Sequence, residues 1–291
     1  MKLAIASGKG GTGKTTVATN LALSLEQNNV QLFDCDVEEP DSHLFLDVEL
    51  KKIDEVCIAV PKIDETKCDY CGECSKFCQY HALAVVKEKV LFFSDLCHGC
   101  GGCTLVCPRG AITEEERVIG VIECGNTNGL EFFHGLLNTG EAMATPVIKA
   151  LKSKINPSKT VIIDSPPGTA CPVIESVNET DYVILVTEPT PFGLHDLKLA
   201  VAMVRAMGLP FGVIINRDGI GDDRVERYCA DEKITMLLKI PNDTKIAKLY
   251  STGVPFIQEI SGWKQKFVEL YRDIQVHIQQ AKVDGGSKIG R

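Results

Sequence analysis

The sequence predicts an α/β protein, a mostly parallel sheet flanked by helices and interrupted by a small α+β insert. Three observations carry this expectation. Short apolar runs at 2–7, 30–34, 160–164, 182–187, 211–216 and 236–240 alternate with helix-period segments, the pattern of βα units. A glycine-rich turn, Gly8-Lys9-Gly10-Gly11-Thr12-Gly13-Lys14-Thr15, joins the first strand to the first helix. Eight of the 13 cysteines fall in two matching runs between residues 68 and 107, in the middle of that alternation.

Taken in order, Met1-Lys2-Leu3-Ala4-Ile5-Ala6 runs straight into the glycine-rich turn and lacks a small-residue cleavage site. It reads as a strand and not as a signal peptide. The helix at 15–27 carries Val17, Leu21 and Leu25 on one face, and that at 194–207 carries Leu197, Val201 and Val204. The last helix, 263–280, has Phe267, Leu270, Tyr271, Ile274 and Ile278 at helical spacing, a stripe expected to pack on the sheet. Its basic residues are too few for a helix lying on a membrane. Segments 57–61 and 117–124 read as strands tying the insert to its parent. The expected organisation is a parent domain in two parts, 1–63 and 114–281, an insert at 64–113, and a flexible tail at 282–291.

The 291 residues carry a net charge of −8, which argues against broad nucleic-acid binding and against a polybasic membrane patch. No apolar run approaches the ~20 residues that span a bilayer, so stable membrane insertion is not expected. Without a signal segment, tightly spaced cysteines point to metal ligation in a reducing cytoplasm, not to disulfides.

Residues 8–15 satisfy G-x-x-x-x-G-K-[ST] between a strand and a helix, the context that makes it a phosphate-binding loop. Its backbone N–H groups converge on phosphate oxygens, and the helix N-terminus adds a favourable dipole. Lys14 is expected on the β- and γ-phosphates, and the Thr15 hydroxyl on Mg²⁺, with Thr16 completing the loop. Asp34-Cys35-Asp36 ends the second strand. Val161-Ile162-Ile163-Asp164 is followed by Ser165-Pro166-Pro167-Gly168, an acid and a glycine turn at a strand end. Acids at such points are otherwise helix caps or turn residues.

The additional Lys9 makes the loop resemble the deviant Walker A motif of the MinD/ParA/nitrogenase iron protein class. The resemblance implies an ATPase that works as a homodimer, or as a heterodimer with a paralogue. Lys9 would cross to the partner's nucleotide as a charge stabiliser, the alternative being a solvated loop lysine. It further implies that Asp36 activates the attacking water, that Asp164 sits near Mg²⁺, and that the Gly168 N–H senses the γ-phosphate. Asn216 would bond adenine, with Arg217 and Pro241 in base-edge loops. ATP is expected over GTP, because Arg217 and Gly219 replace the lysine and aspartate of N-K-x-D.

The cysteine runs are Cys68-x2-Cys71-x2-Cys74-x3-Cys78 and Cys97-x2-Cys100-x2-Cys103-x3-Cys107-Pro108, with Gly72/Gly101 and Ala82/Ala111 at equal offsets. This internal repeat resembles a bacterial-type ferredoxin holding two [4Fe–4S] clusters, in which each run's fourth cysteine serves the other cluster. The resemblance implies one cluster on Cys68, Cys71, Cys74 and Cys107, and another on Cys97, Cys100, Cys103 and Cys78. Gln79 departs from the proline that often follows the run, and zinc sites are the structural alternative. His81 and His98 receive no ligand role. Cys171 follows Asp164 by seven residues, the spacing of the nitrogenase iron protein's bridging cysteine, but Cys124 is the only plausible second ligand and aligns poorly. A thiol coupled to the 164–168 turn without a cluster is one alternative for Cys171, and a small buried thiol is the plain reading. Cys35, Cys57 and Cys229 read as core or helix-surface residues.

Three functions follow. The first is ATP-gated electron transfer through two clusters to a redox partner. The second is an iron–sulfur carrier or cofactor-assembly ATPase resembling Mrp-type carriers, with an assembly partner. The third is a positioning ATPase like MinD or ParA with redox-sensing clusters.

Overall fold

The computed structural model describes residues 1–25 and 29–286. In chain order the elements are β1 Lys2–Ala6, α1 Lys14–Ser24, β2 Val30–Asp34, β3 Lys51–Ile63, α2 Glu73–Phe77, β4 Leu83–Val85, β5 Val90–Phe92, α3 Gly102–Val106, β6 Ile112–Thr127, β7 Leu130–Leu137 and α4 Thr145–Lys152. They continue with β8 Thr160–Asp164, α5 Cys171–Val177, β9 Tyr182–Thr187, α6 Pro191–Ala206, β10 Phe211–Asp218, α7 Arg224–Asp231, β11 Met236–Pro241, α8 Thr244–Ser251, α9 Phe256–Glu259 and α10 Trp263–Gly286. Among the described residues, nine strands form one sheet in the order β11-β10-β9-β1-β8-β2-β7-β6-β3. The strands from β11 to β7 are parallel, and β6 and β3 add an antiparallel edge.

Residues VQLFD of β2, TVIID of β8 and YVILVT of β9 are buried throughout. Continuous apolar runs of this kind are what parallel strands covered on both faces require. One face is closed by α4, α5, α6 and α7 through Ile148, Val173, Val201 and Val225. The other is closed by α1, α8, α9 and α10 through Leu21, Ile246, Phe256 and Phe267. The stripe of the last helix therefore packs on the sheet, with Phe267, Leu270, Ile274 and Ile278 all buried. No helix of the described residues is long and apolar enough to cross a membrane.

Beyond Gly120, β6 loses its β7 neighbour and pairs only with β3, so Cys57–Ile63 and 112–118 form a projecting two-stranded ribbon. Residues 64–111 fold at its tip. Two one-turn helices and the antiparallel β4–β5 pair enclose a small core of Cys74, Leu83 and Ile112, with Ile63, Val85, Val90 and Phe92 against it.

β7 is the strand of the large sheet that the apolar runs did not indicate. Leu-Glu-Phe-Phe-His-Gly-Leu-Leu mixes charge into a strand that runs between β2 and β6. Of the expected tail, 282–286 continue α10 and 287–291 lie outside the described residues, as do 26 and 27 of the expected first helix. Because Phe267 is wholly buried between Phe256 and Trp263, Phe267→Ala is expected to cost about 3–5 kcal/mol in chemical denaturation.

Candidate functional site

The C-terminal ends of β1, β2, β8 and β10 meet at a cavity of about 440 Å³ bordered by the glycine-rich turn, Asp36, Asp41, Asn216, Pro241 and Tyr250. That volume is in the range of small-molecule sites. Gly13 has φ 95°, and a Cβ there would meet the Asn216 amide at 2.2 Å, so the turn admits only glycine. Lys14 is buried at the start of α1 with its neighbours Thr15 and Thr16 on the cavity wall.

Three carboxylates converge beside Thr15. Asp34 accepts the backbone N–H groups of Asp36 (3.0 Å), Asp41 (3.0 Å) and Ser42 (2.9 Å). Asp164 Oδ2 accepts the Ser42 hydroxyl at 3.1 Å, and the Thr15 hydroxyl donates to Asp41 Oδ1 at 2.9 Å. One oxygen from each of Asp34, Asp41 and Asp164 lies within 4.8 Å of the others, and Asp164 Oδ1 is buried without a hydrogen-bond partner. Burial, then repulsion from Asp164, pushes Asp34 well above the usual carboxylate range. Burial pushes Asp164 up to about 7, against the pull of Lys14. Burial also raises Asp36, which faces the cavity, to about 6, again opposed by Lys14. Hard oxygen donors gathered around an unpartnered buried carboxylate oxygen are what Mg²⁺ selects, so the set fits that ion with Thr15, Asp164, Asp41 and Asp34 as its holders.

Other candidate residues bond within the chain. Lys9 Nζ lies 3.6 Å from Glu188, a buried carboxylate that also accepts from Arg217 at 2.6 Å. The Asn216 amide donates to the Thr12 carbonyl at 2.8 Å and its Oδ1 accepts the Arg217 N–H at 2.9 Å. It braces the loop in this conformation where adenine contact was expected. The Gly168 N–H donates to the Ser7 carbonyl at 3.0 Å in this conformation.

In the ribbon-tip segment, one pocket is walled by Cys68, Cys71, Cys74 and Cys107. The other is walled by Cys97, Cys100, Cys103 and Cys78. The two halves are built alike. Gly72 and Gly101 open α2 and α3 at φ 81° and 70°, a left-handed start that suits glycine. The Ala82 N–H meets Cys78 Sγ at 3.4 Å and the Ala111 N–H meets Cys107 Sγ at 3.3 Å. Among the described residues no three cysteine sulfurs lie within 4.8 Å of one another. A tetrahedral zinc would draw them to ~3.8 Å, so the sites are wider than one zinc needs. Elsewhere, Cys171 is exposed at the start of α5 and is not the small buried thiol expected, Cys124 lies in β6 between β3 and β7, Cys57 is half-buried in β3, and Cys35 and Cys229 are buried. Burial raises Cys229 to about 11.

A family model described as the CobQ/CobB/MinD/ParA nucleotide binding domain matches residues 3–256. The chain belongs to this family. As a CobQ/CobB/MinD/ParA protein with an intact phosphate loop, it is a P-loop ATPase. An uncharacterised protein of Methanocaldococcus jannaschii is 34% identical in an alignment of 278 positions that covers 90% of this chain and 97% of the relative. An iron–sulfur cluster carrier protein of Pyrococcus horikoshii is 25% identical over 310 residues, covering 99% of this chain and 90% of the relative. Among solved structures, the septum site-determining protein MinD of P. horikoshii with Mg-ADP has the same fold, with a TM-score of 0.56 at 20% identity over 94% of this chain and 95% of that one.

Within this CobQ/CobB/MinD/ParA domain, sequence reasoning missed Asp41, Ser42 and Glu188. Pro40-Asp41-Ser42 looks like an ordinary turn, and only folding brings it onto Asp34 and Asp164. Raised carboxylates carry a pH signature. Asp164 binds its proton up to about 7 when folded but titrates near 3.8 when unfolded. Protonation therefore favours the fold at low pH, and that contribution fades as pH rises through about 7. Without Mg²⁺, Asp164→Asn is expected to exceed the parent in stability by roughly 1–3 kcal/mol at pH 8. The gap should close toward pH 4 in denaturation curves, and Mg²⁺ should shrink it.

Proposed function

We propose that this ATPase couples its nucleotide state to electron transfer through two [4Fe–4S] clusters held by residues 64–113. One observation carries the reading: the eight cysteines wall two separate pockets in crossed sets of four, three from one run and the last from the other. Complete sets of four thiols suit resident clusters, which supply one-electron chemistry when bound. A cargo cluster calls for an incomplete and open set. The carrier relative supports a second reading, an iron–sulfur carrier or assembly ATPase, which cluster transfer to an apo-acceptor would favour.

The residues of the chain divide the ATPase work. The loop N–H groups and Lys14 would bind the phosphates, while Thr15, Asp164, Asp41 and Asp34 would hold Mg²⁺. Asp36, raised to about 6, is a base matched to neutral pH and takes the proton of the attacking water. Lys9 leaves Glu188 for the nucleotide of a second subunit. Glu188 keeps Arg217 as a counter-charge when it does so.

Hydrolysis per subunit is then expected to rise with protein concentration, and Lys9→Ala to slow it roughly 10³-fold. A Lys9→Ala variant as fast as the parent would sink the trans role. The crossed ligand sets predict a pattern of iron loss under anaerobic purification. Cys97→Ser with Cys78→Ser should leave about four irons per chain, and Cys97→Ser with Cys107→Ser almost none. The reverse pattern would mean that each run keeps its own metal.

A further inference from the structure

The acidic row at the nucleotide site continues across the sheet. Strand register sets Asp164 of β8 beside Asp34 of β2, Asp34 beside His134 of β7, and His134 beside Glu123 of β6. His134 is 4% exposed, and its Nε2 lies 2.8 Å from Glu123 Oε2. Its Nδ1 is buried without a hydrogen-bond partner. Edge-on to it stands His43, with ring centroids 5.5 Å apart and planes at 71°. The Nδ1 of His43 is likewise buried and unpartnered.

His43 belongs to the 3-10 turn Ser42–Phe45 that follows Asp41. Ser42 bonds Asp34 and Asp164, and Asp41 bonds Thr15. The imidazole pair thus backs the turn that delivers one carboxylate and three hydrogen bonds to the cation set. Burying imidazole nitrogens without partners opposes folding, and an apolar side chain would fill the same space without that cost. The polar choice makes sense if His134 must hold Glu123. Glu123 lies on β6, the strand that arrives from the cysteine-bearing ribbon.

We propose that His134 is a positioning residue, bracing the Asp41–Ser42 turn through His43 and tying it through Glu123 to the strand that carries the ribbon. The proposal rests on the reading of Asp34, Asp41 and Asp164 as the Mg²⁺ carboxylates. Residues that orient metal-holding groups typically change affinity 10–100-fold when replaced. A shift in the turn on Mg²⁺·ATP binding would reach β6 by way of one hydrogen bond.

Two variants and two measurements test it on the full, anaerobically purified chain. His134→Phe keeps an aromatic ring and removes the bond to Glu123, whereas His134→Gln keeps a donor near the Nε2 position. The half-saturating Mg²⁺ for ATP hydrolysis should rise about tenfold in His134→Phe and be restored by excess Mg²⁺. His134→Gln should recover most of the loss. Hydrogen exchange in 51–63 and 112–127 should respond to Mg²⁺·ATP in the parent and in His134→Gln, and not in His134→Phe. If His134→Phe does not fold, Glu123→Leu, which acts from a partly exposed position, should break the ribbon response in the same way. Half-saturation and ribbon exchange within twofold of the parent in the folded variant would overturn the proposal. An Asp164→Asn control separates the two ideas. If it leaves Mg²⁺ dependence intact, the carboxylate reading fails. If it abolishes that dependence while His134→Phe does nothing, only the positioning role fails.

Discussion

The burial of converging carboxylates, sharpened by their mutual repulsion, governs the nucleotide end of this molecule. Asp34, Asp41 and Asp164 bring oxygens within 4.8 Å of one another at the C-terminal ends of central strands in a sheet whose interior is apolar. Three backbone N–H groups on Asp34, the Ser42 hydroxyl on Asp164 and the Thr15 hydroxyl on Asp41 relieve part of the strain. Asp164 Oδ1 receives nothing. A site built this way favours a proton or a doubly charged cation, and its hydrogen bonds fix the surrounding loops only while that charge balance holds. The conformation of the turn after β2 and the electrostatics of the phosphate loop are thus one problem.

The cysteine-bearing segment obeys a different constraint. Its apolar core is a handful of side chains, too small to hold so short a segment without cross-links or metal. Two half-units related by internal repetition meet through α2 and α3, where the ring of Phe77 fills the space beside Gly102. Arg117, paired with Glu141 and donating to the Ser94 carbonyl, fastens the second half to the parent domain. The Tyr80 and His98 rings stack at 3.5 Å beside the pocket of Cys97. Under the proposed function the segment's order rests on the clusters its thiols would hold, whereas the large sheet is held by its own packing.

Legibility followed the physics of each part. Central strands such as 160–164 and 182–187 could be read to the residue, because burial on both faces demands an uninterrupted apolar run. β3 and β6 showed only their inner segments. Their outer halves face water and carry Lys51, Lys52, Asp54, Glu114, Glu115 and Glu116, which hide strand character under charge. β7 was missed because His134 and Glu131 break its pattern, and His134 is there for a polar neighbour. Around the cavity, residues fixed by local chemistry (the glycine loop, Asp36 and Asp164) were visible in the chain. Asp41, Ser42 and Glu188 were not, since their partners lie far away in sequence.

Ile63 and Ile112 face each other as cross-strand partners at the last rung of the ribbon. The chain therefore leaves the parent domain and returns at a single hairpin position. A two-residue turn at that rung would close the ribbon without altering any strand of the large sheet. Modular gain or loss of the cysteine unit requires no more topological change than swapping a hairpin loop, and the same rung is a natural graft point for a different small unit.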